Sequence, residues 1–187
     1  MFIRSGLLVA LAAACQGQSA PKSVVPPAEV VATINGRVHA RVVGSRPCRA
    51  MVDNVELMVG LDPLIAQVGA TTWTGQVGSN GTTFHRGDAE VARLTSIAPL
   101  QGLALVGPDG ITIMRVETSG DDASIIGGDG AVRRKAKREA QSIVIGDAVV
   151  TGTQDLGLAA LIAAQDVDPE VRGLAACQHL IAQSKAL

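Results

Sequence analysis

Short apolar segments separated by glycine-bearing turns constrain this chain more than any other feature. "VVATING", "RVHARVVG", "CRAMVDN", "VELMVG", "TTWTGQVG", "AEVARLT", "GLALVG", "ITIMRVE", "ASIIG" and "SIVIGDAVVTG" are rich in Val, Ile and Thr. Many short strands with turn signals at this density predict an all-β body, a sandwich or a barrel. In "ATINGRVHARV" the pair Asn35 and Gly36 stands between apolar runs, and both residues tolerate positive φ, so a tight hairpin is expected there. "VGPDGITI" carries Pro108, Asp109 and Gly110 in turn order. Two stretches read as helical instead. "GAVRRKAKREAQ" has helix formers but little apolar face, and "DPEVRGLAACQHLIAQSKAL" opens with Asp168 as N-cap and Pro169 in the first turn. In the second, Val171, Leu174, Ala175, Gln178 and Ile181 recur at three and four, which predicts a C-terminal helix packed on the β body.

The first residues are set aside from the fold. "MFIRSGLLVALAAAC" has one basic residue, Arg4, followed by an apolar stretch from Gly6 to Ala14, the layout of a secretory signal and too short to span a bilayer. Ala12, Ala13 and Ala14 before Cys15 resemble the lipobox of bacterial lipoproteins, which implies acylation of Cys15 and an N-terminus at that residue. An ordinary cleaved signal with a cysteine nearby is the alternative, and in both cases the chain is exported. "QGQSAPKSVVPPAE" then reads as an extended tether, because paired prolines favour extended chain and offer nothing to bury.

Composition excludes several classes of function. A formal net charge of −1 lacks the basic excess that displaces counterions from phosphates, so no nucleic-acid partner is expected. After the signal the aromatic residues are Trp73 and Phe84, with no tyrosine, so sugar platforms and single-strand stacking sites lack their usual faces. The core must be built from Val, Ile, Leu and Ala. Acylation of Cys15 would leave Cys48 and Cys177 as an even pair in an oxidising compartment, where they form a disulfide or remain as two buried thiols.

Candidate chemistry is sparse. His39, His85 and His179 lie far apart, with no carboxylate or cysteine at ligand spacing, so no metal is expected. "GDDASIIGGDG" offers Asp121, Asp122 and Asp129 but lacks the alternating oxygens and closing Glu of a calcium loop, and reads as a solvated turn. "GGDG" has no following Lys-Ser or Lys-Thr for a phosphate, so no nucleotide cofactor is expected. "RRKAKR", Arg133 to Arg138, is the strongest local charge, either a grip on anionic lipid or a solvated helix or long loop.

Four segments in order resemble the trypsin-like serine proteases. "CRAMVDNVELMVGLDPLI" is similar to the strand-turn-strand leading to that family's histidine, and "FHRGDAEVARLTSIAPL" to the segment holding its aspartate, with Asp88 in place. "QGLALVGPDGITIMRVETSG" resembles the start of the second barrel, and "IGDAVVTGTQDLGLAAL" the strand entering the nucleophile loop. The resemblance implies two β-barrels with a C-terminal helix: residues 1–14 signal, 15–29 Pro-rich tether, 30–97 first barrel, 98–187 second barrel and helix.

The departures matter for function, since this chemistry needs a serine oxygen, an imidazole and an orienting carboxylate. Pro63 stands at the histidine position and Gln154, or Leu156 with a two-residue gap, at the serine position, so Asp88 alone remains of the triad. The expectation is an inactive, lipid-anchored module of the periplasm or outer membrane that binds or scaffolds an envelope protein or peptide. The alternatives are an active trypsin-like endopeptidase with its site elsewhere, and a relative of the retropepsin-like aspartic proteases. "RAMVDNVELMVG" and "ASIIGGD" resemble the latter family, which implies Asp53 as the catalytic carboxylate. In the trypsin-like arrangement the usual partner of Cys48 is replaced by Leu64, and the C-terminal helix packs on the first barrel, which implies a Cys48–Cys177 bridge.

Overall fold

The structure, a computed structural model, describes residues 28–61, 63–97 and 102–184. The chain makes fourteen strands before its two helices. The first seven are β1 (Glu29–Ile34), β2 (Arg37–Val43), β3 (Cys48–Val52), β4 (Val55–Leu61), β5 (Leu64–Val68), β6 (Thr71–Gly78) and β7 (Gly81–Arg86). The next seven are β8 (Ala89–Ile97), β9 (Gly102–Val106), β10 (Thr112–Ser119), β11 (Asp122–Gly127), β12 (Val132–Arg138), β13 (Ser142–Ile145) and β14 (Ala148–Thr151). Helices α1 (Leu156–Ala163) and α2 (Pro169–Ser184) follow.

Every strand pairs antiparallel with its neighbours in sequence, and β14 returns to β1, with Val31 opposite Thr151 and Ile34 opposite Ala148, so the sheet is one closed barrel. The pair of barrels divided at 97/98 is therefore corrected to one. Five residue pairs, from Arg93–Val106 to Ile97–Gly102, join β8 to β9 across that boundary. Closure removes the unpaired edges that an open sheet of this length would present.

Local chemistry explains the hairpins. Asn35 (φ 50°) and Gly36 (φ 74°) make the expected tight turn, and Asp53 (φ 47°) and Asn54 (φ 69°) make another of the same hand. "GPDG" and "GGDG" are built alike. Gly107 N donates to Ile111 O (2.7 Å), and Gly127 N to Ala131 O (2.9 Å). Asp109 Oδ1 accepts from Ile111 N (2.9 Å), as Asp129 Oδ1 does from Ala131 N (3.0 Å). Asp129 thus serves a turn and an ion pair with Arg133 (2.8 Å), while Asp121 in the β10–β11 turn pairs with Arg138 (2.7 Å).

The helix expected over 130–141 is corrected: "VRRKAKR" is β12. A helix there would have no apolar stripe, whereas a strand needs only alternate small or apolar residues, and Ala136 supplies the buried one. Asp122 stands opposite Lys137, so part of the charge is met across the sheet.

Alternation puts Val30, Ala32, Val42, Val59, Trp73, Phe84, Leu105, Met114, Val116, Ile143 and Val150 inside the barrel, all buried. Arg41, Arg49, Glu56, Gln67, Lys135 and Lys137 point outward and are exposed. This polarity is the reverse of a membrane-spanning barrel, whose outer face carries the apolar band. Among the described residues no helix is long and apolar enough to cross a membrane.

About eight strands enclose a space that side chains alone can fill, and fourteen leave room for more. Both helices occupy that space. All eight residues of α1 are buried, and the helix meets β1, β2 and β10 to β14. Helix α2 meets β2, β3, β4, β7 and α1. At Gly173 a Cβ would come within 2.7 Å of Leu57 Cδ1, so a larger residue there would make the Leu57 side chain shift where α2 approaches β4. The N-terminus of α2 is capped as expected, Asp168 Oδ1 accepting from Glu170 N (2.9 Å) and Val171 N (3.2 Å).

Strands alternate in direction, which defines two rims. Ala28, the 44–47 turn, the 120–121 turn, the exit from β14 and the end of α2 share the near rim. Gly44 N donates to Ala28 O (2.8 Å), and a Cβ at Gly44 would touch Leu180. The Asn35–Gly36, Asp53–Asn54 and Gly87–Asp88 turns and the α1–α2 link share the far rim. Helix α1 runs from near to far and α2 returns, so the helical hairpin plugs the barrel along its length.

Candidate functional site

Polar groups converge in a cleft of about 470 Å³ at the near rim, lined by Gly102, Leu103, Thr118, Gly120, Arg138 and Gln154 to Gly157. The sequence places it there because α1 begins where β14 ends, and Asp155 is its N-cap, accepting from Leu158 N (2.6 Å). The returning α2 brings His179 Nε2 to 3.3 Å from Asp155 Oδ1, and Gln183 donates to the other carboxylate oxygen. Arg138 closes one side, donating to Gln154 O (3.0 Å) and pairing with Asp121.

Burial pushes the Asp155 carboxyl up, but His179, the Leu158 N–H and Gln183 outweigh it and hold the group at about 2, below the usual 3.8. Its folded value is lowered, so its stabilisation is complete above about pH 4 and is lost as pH falls toward 2. We expect Asp155→Ala to be less stable than the native chain by about 2 kcal/mol at pH 7 and by much less at pH 2. Parallel urea titrations at the two pH values check this, and an equal deficit at both would sink the assignment.

The far rim has its own polar cluster. Arg172 of α2 is 1% exposed and reaches Asp53 in the β3–β4 turn, while His39 Nδ1 lies 3.2 Å from the other Asp53 oxygen. Arg172 Nη1 also lies 3.5 Å from Ile162 O, and its Nε has no hydrogen-bond partner. Beside it, Trp73 Nε1 donates to Glu170 Oε2 (2.7 Å), Arg86 pairs with the same oxygen (3.3 Å), and the Arg86 guanidinium stands 4.6 Å from the Trp73 ring centroid. Arg134 of β12 donates to Ala163 O (2.8 Å), capping the end of α1. These groups fix the far end of the plug.

The positions expected to correspond to a triad are not brought together. Pro63 lies in the exposed β4–β5 turn at the near rim, Asp88 in the exposed β7–β8 turn at the far rim, and Gln154 before α1 at the near rim. Strands of four to nine residues separate the rims, roughly 13 to 30 Å at about 3.3 Å per residue. Leu156 is the first residue of α1 and is buried. His85 sits on β7 with Nδ1 lacking a hydrogen-bond partner. Asp53, expected in the alternative reading as a catalytic carboxylate, is held by Arg172 and His39. Among the described residues no three His, Cys, Asp or Glu side chains gather as metal ligands. Cys48 of β3 and Cys177 of α2 are joined by a disulfide with Cα atoms 5.9 Å apart, both buried. Cys15, the expected signal and the expected tether up to residue 27 lie outside the described residues.

Asp155, Arg172 and Glu170 were not singled out in the sequence, and Arg138 stood out only as part of the basic run. A signal for the first was present, an aspartate directly before an apolar run. The others act through partners far away in sequence, as Arg172 does with Asp53 across 119 residues. The comparisons add no identity: no protein family, no curated protein and no solved structure matches the chain.

Proposed function

We propose that the chain is an exported, lipid-anchored barrel that acts as a binding or scaffolding module in the cell envelope, for an envelope protein or peptide, and not as a hydrolase. The observation that carries this reading is the rim shared by the start of β1 and the end of α2. Ala28 and the end of α2 both lie at the near rim. A tether running from Cys15 would hold that rim toward the membrane and leave the far rim facing outward. Catalytic inactivity is supported by the scatter of Pro63, Asp88 and Gln154 and by the structural engagement of Asp53, Asp155 and His179. Neither a trypsin-like nor a retropepsin-like ancestry is needed for the reading, since it rests on the barrel as it stands.

Detergent-phase partitioning tests the anchor. Wild type is expected in the detergent phase and Cys15→Ser in the aqueous phase, and aqueous partitioning of both would remove the anchor. Treatment of the same wild-type preparation with a fluorophosphonate probe is expected to leave it unlabelled. A covalently modified serine would make the chain a hydrolase and overturn the reading.

A further inference from the structure

Three exposed apolar side chains lie on adjacent strands of the outer wall. Met51 on β3, Met58 on β4 and Ile65 on β5 are 39%, 50% and 41% exposed. Met51 stands opposite Glu56 and Arg49 opposite Met58, while Gly60 stands opposite Ile65. Met58 is therefore the diagonal neighbour of both Met51 and Ile65, within reach of long side chains. The three form one stripe that slopes toward the near rim. Exposed Arg46 and Arg49 border it there. Among the described residues no ion pair engages either of them, whereas nearby Arg41 is met by Glu29 at 3.3 Å.

We propose that this shoulder of β3 to β5 rests on an anionic lipid surface when the barrel is tethered, with the two arginines at the head groups and Met51, Met58 and Ile65 in the interfacial layer. The proposal rests on the tethered reading above and adds a second contact and an orientation to it. Complementary charge selects the lipid, and the place where the barrel begins brings it near, since Ala28 accepts from Gly44 N on the same rim, next to the 44–47 turn. Each cation near an anionic leaflet raises binding about fivefold. Two arginines and three partly inserted side chains bind weakly from bulk solution, yet a short tether sets an effective concentration in the millimolar range, where a weak contact is enough to orient the body.

The exposed methionines report the contact directly. The chain from Cys15 onward can be coupled through the Cys15 thiol to vesicles carrying maleimide lipid, because Cys48 and Cys177 are bridged. Coupling supplies the tether whether or not Cys15 is acylated in the cell, so a failed anchor and a failed shoulder are told apart. Oxidation of Met51 and Met58 by dilute peroxide is then followed by peptide mass spectrometry, with buried Met114 as internal reference. On phosphatidylglycerol vesicles both should oxidise severalfold more slowly than on phosphatidylcholine vesicles. Arg46→Gln with Arg49→Gln, or high salt, should restore the faster rate. Equal rates on the two lipids would overturn the proposal. So would protection that grows with protein concentration without vesicles, which would assign the stripe to a second copy of the chain.

Discussion

Replacing Cys48 and Cys177 together by alanine should lower the stability of the barrel by about 5 kcal/mol. The bridge spans 129 residues, from the third strand to the last helix. Opening it returns to the unfolded chain the freedom of a loop of that length, which on loop-closure entropy is worth about 5 kcal/mol at 25 °C. For a domain of this size the melting temperature should fall by roughly 10 to 20 °C. Both cysteines are 0% exposed. The native protein should therefore keep its bridge in reductant that cleaves it readily once urea is added. Intact mass before and after alkylation, with urea midpoints for native and double-alanine chains, decides the matter. Two free thiols in protein isolated under oxidising conditions, or midpoints that coincide, would refute the stapling role.

Asp53→Asn should cost about 3 to 5 kcal/mol, toward the lower end because a third of the Asp53 side chain meets solvent. Its partner carries the cost. Arg172 is 1% exposed, so removing the carboxylate strands a cation inside the plug. Asparagine keeps the shape and accepts the positive φ that the turn imposes, which isolates the charge from the backbone. Adding Arg172→Met to Asp53→Asn should return most of the loss, because an apolar chain of similar length has no charge to strand. A double-mutant cycle in urea measures the coupling. If the two single losses simply add, the ion pair does not hold the plug.

The two experiments separate two ways of fixing one element. The disulfide acts mainly on the unfolded chain, and the Asp53–Arg172 pair on the folded one, yet both join α2 to the β3–β4 hairpin. That hairpin is also the one bearing Met51 and Met58. A loosened plug and a changed outer wall would thus show on the same strands.

How much was legible in the sequence follows the range of the interactions. Asn35–Gly36, Pro108–Asp109–Gly110 and the Asp168–Pro169 helix start could be read directly, because turns and caps depend on φ and on hydrogen bonds within a few residues. The all-β character with a C-terminal helix was readable for the same reason, as alternation and helical periodicity are local. Helix α1 was not: "LGLAALIA" is apolar on every side, so it has no period to detect, and only burial on all sides makes it stable as a helix. "VRRKAKR" misled in the opposite sense, since its residues favour a helix but the ladders of β11 and β13 hold it extended.

By itself the sequence determined the units: short strands, the turns between them, a capped helix, an apolar side to each strand, and two cysteines able to pair. Only the tertiary structure decided that fourteen strands close into one barrel instead of two, because closure depends on β14 finding β1 across more than a hundred residues. The same is true of the site. No local rule states that Arg172 meets Asp53 or that Asp155 meets His179, since those neighbours are created when two helices enter a lumen too wide for side chains alone to fill.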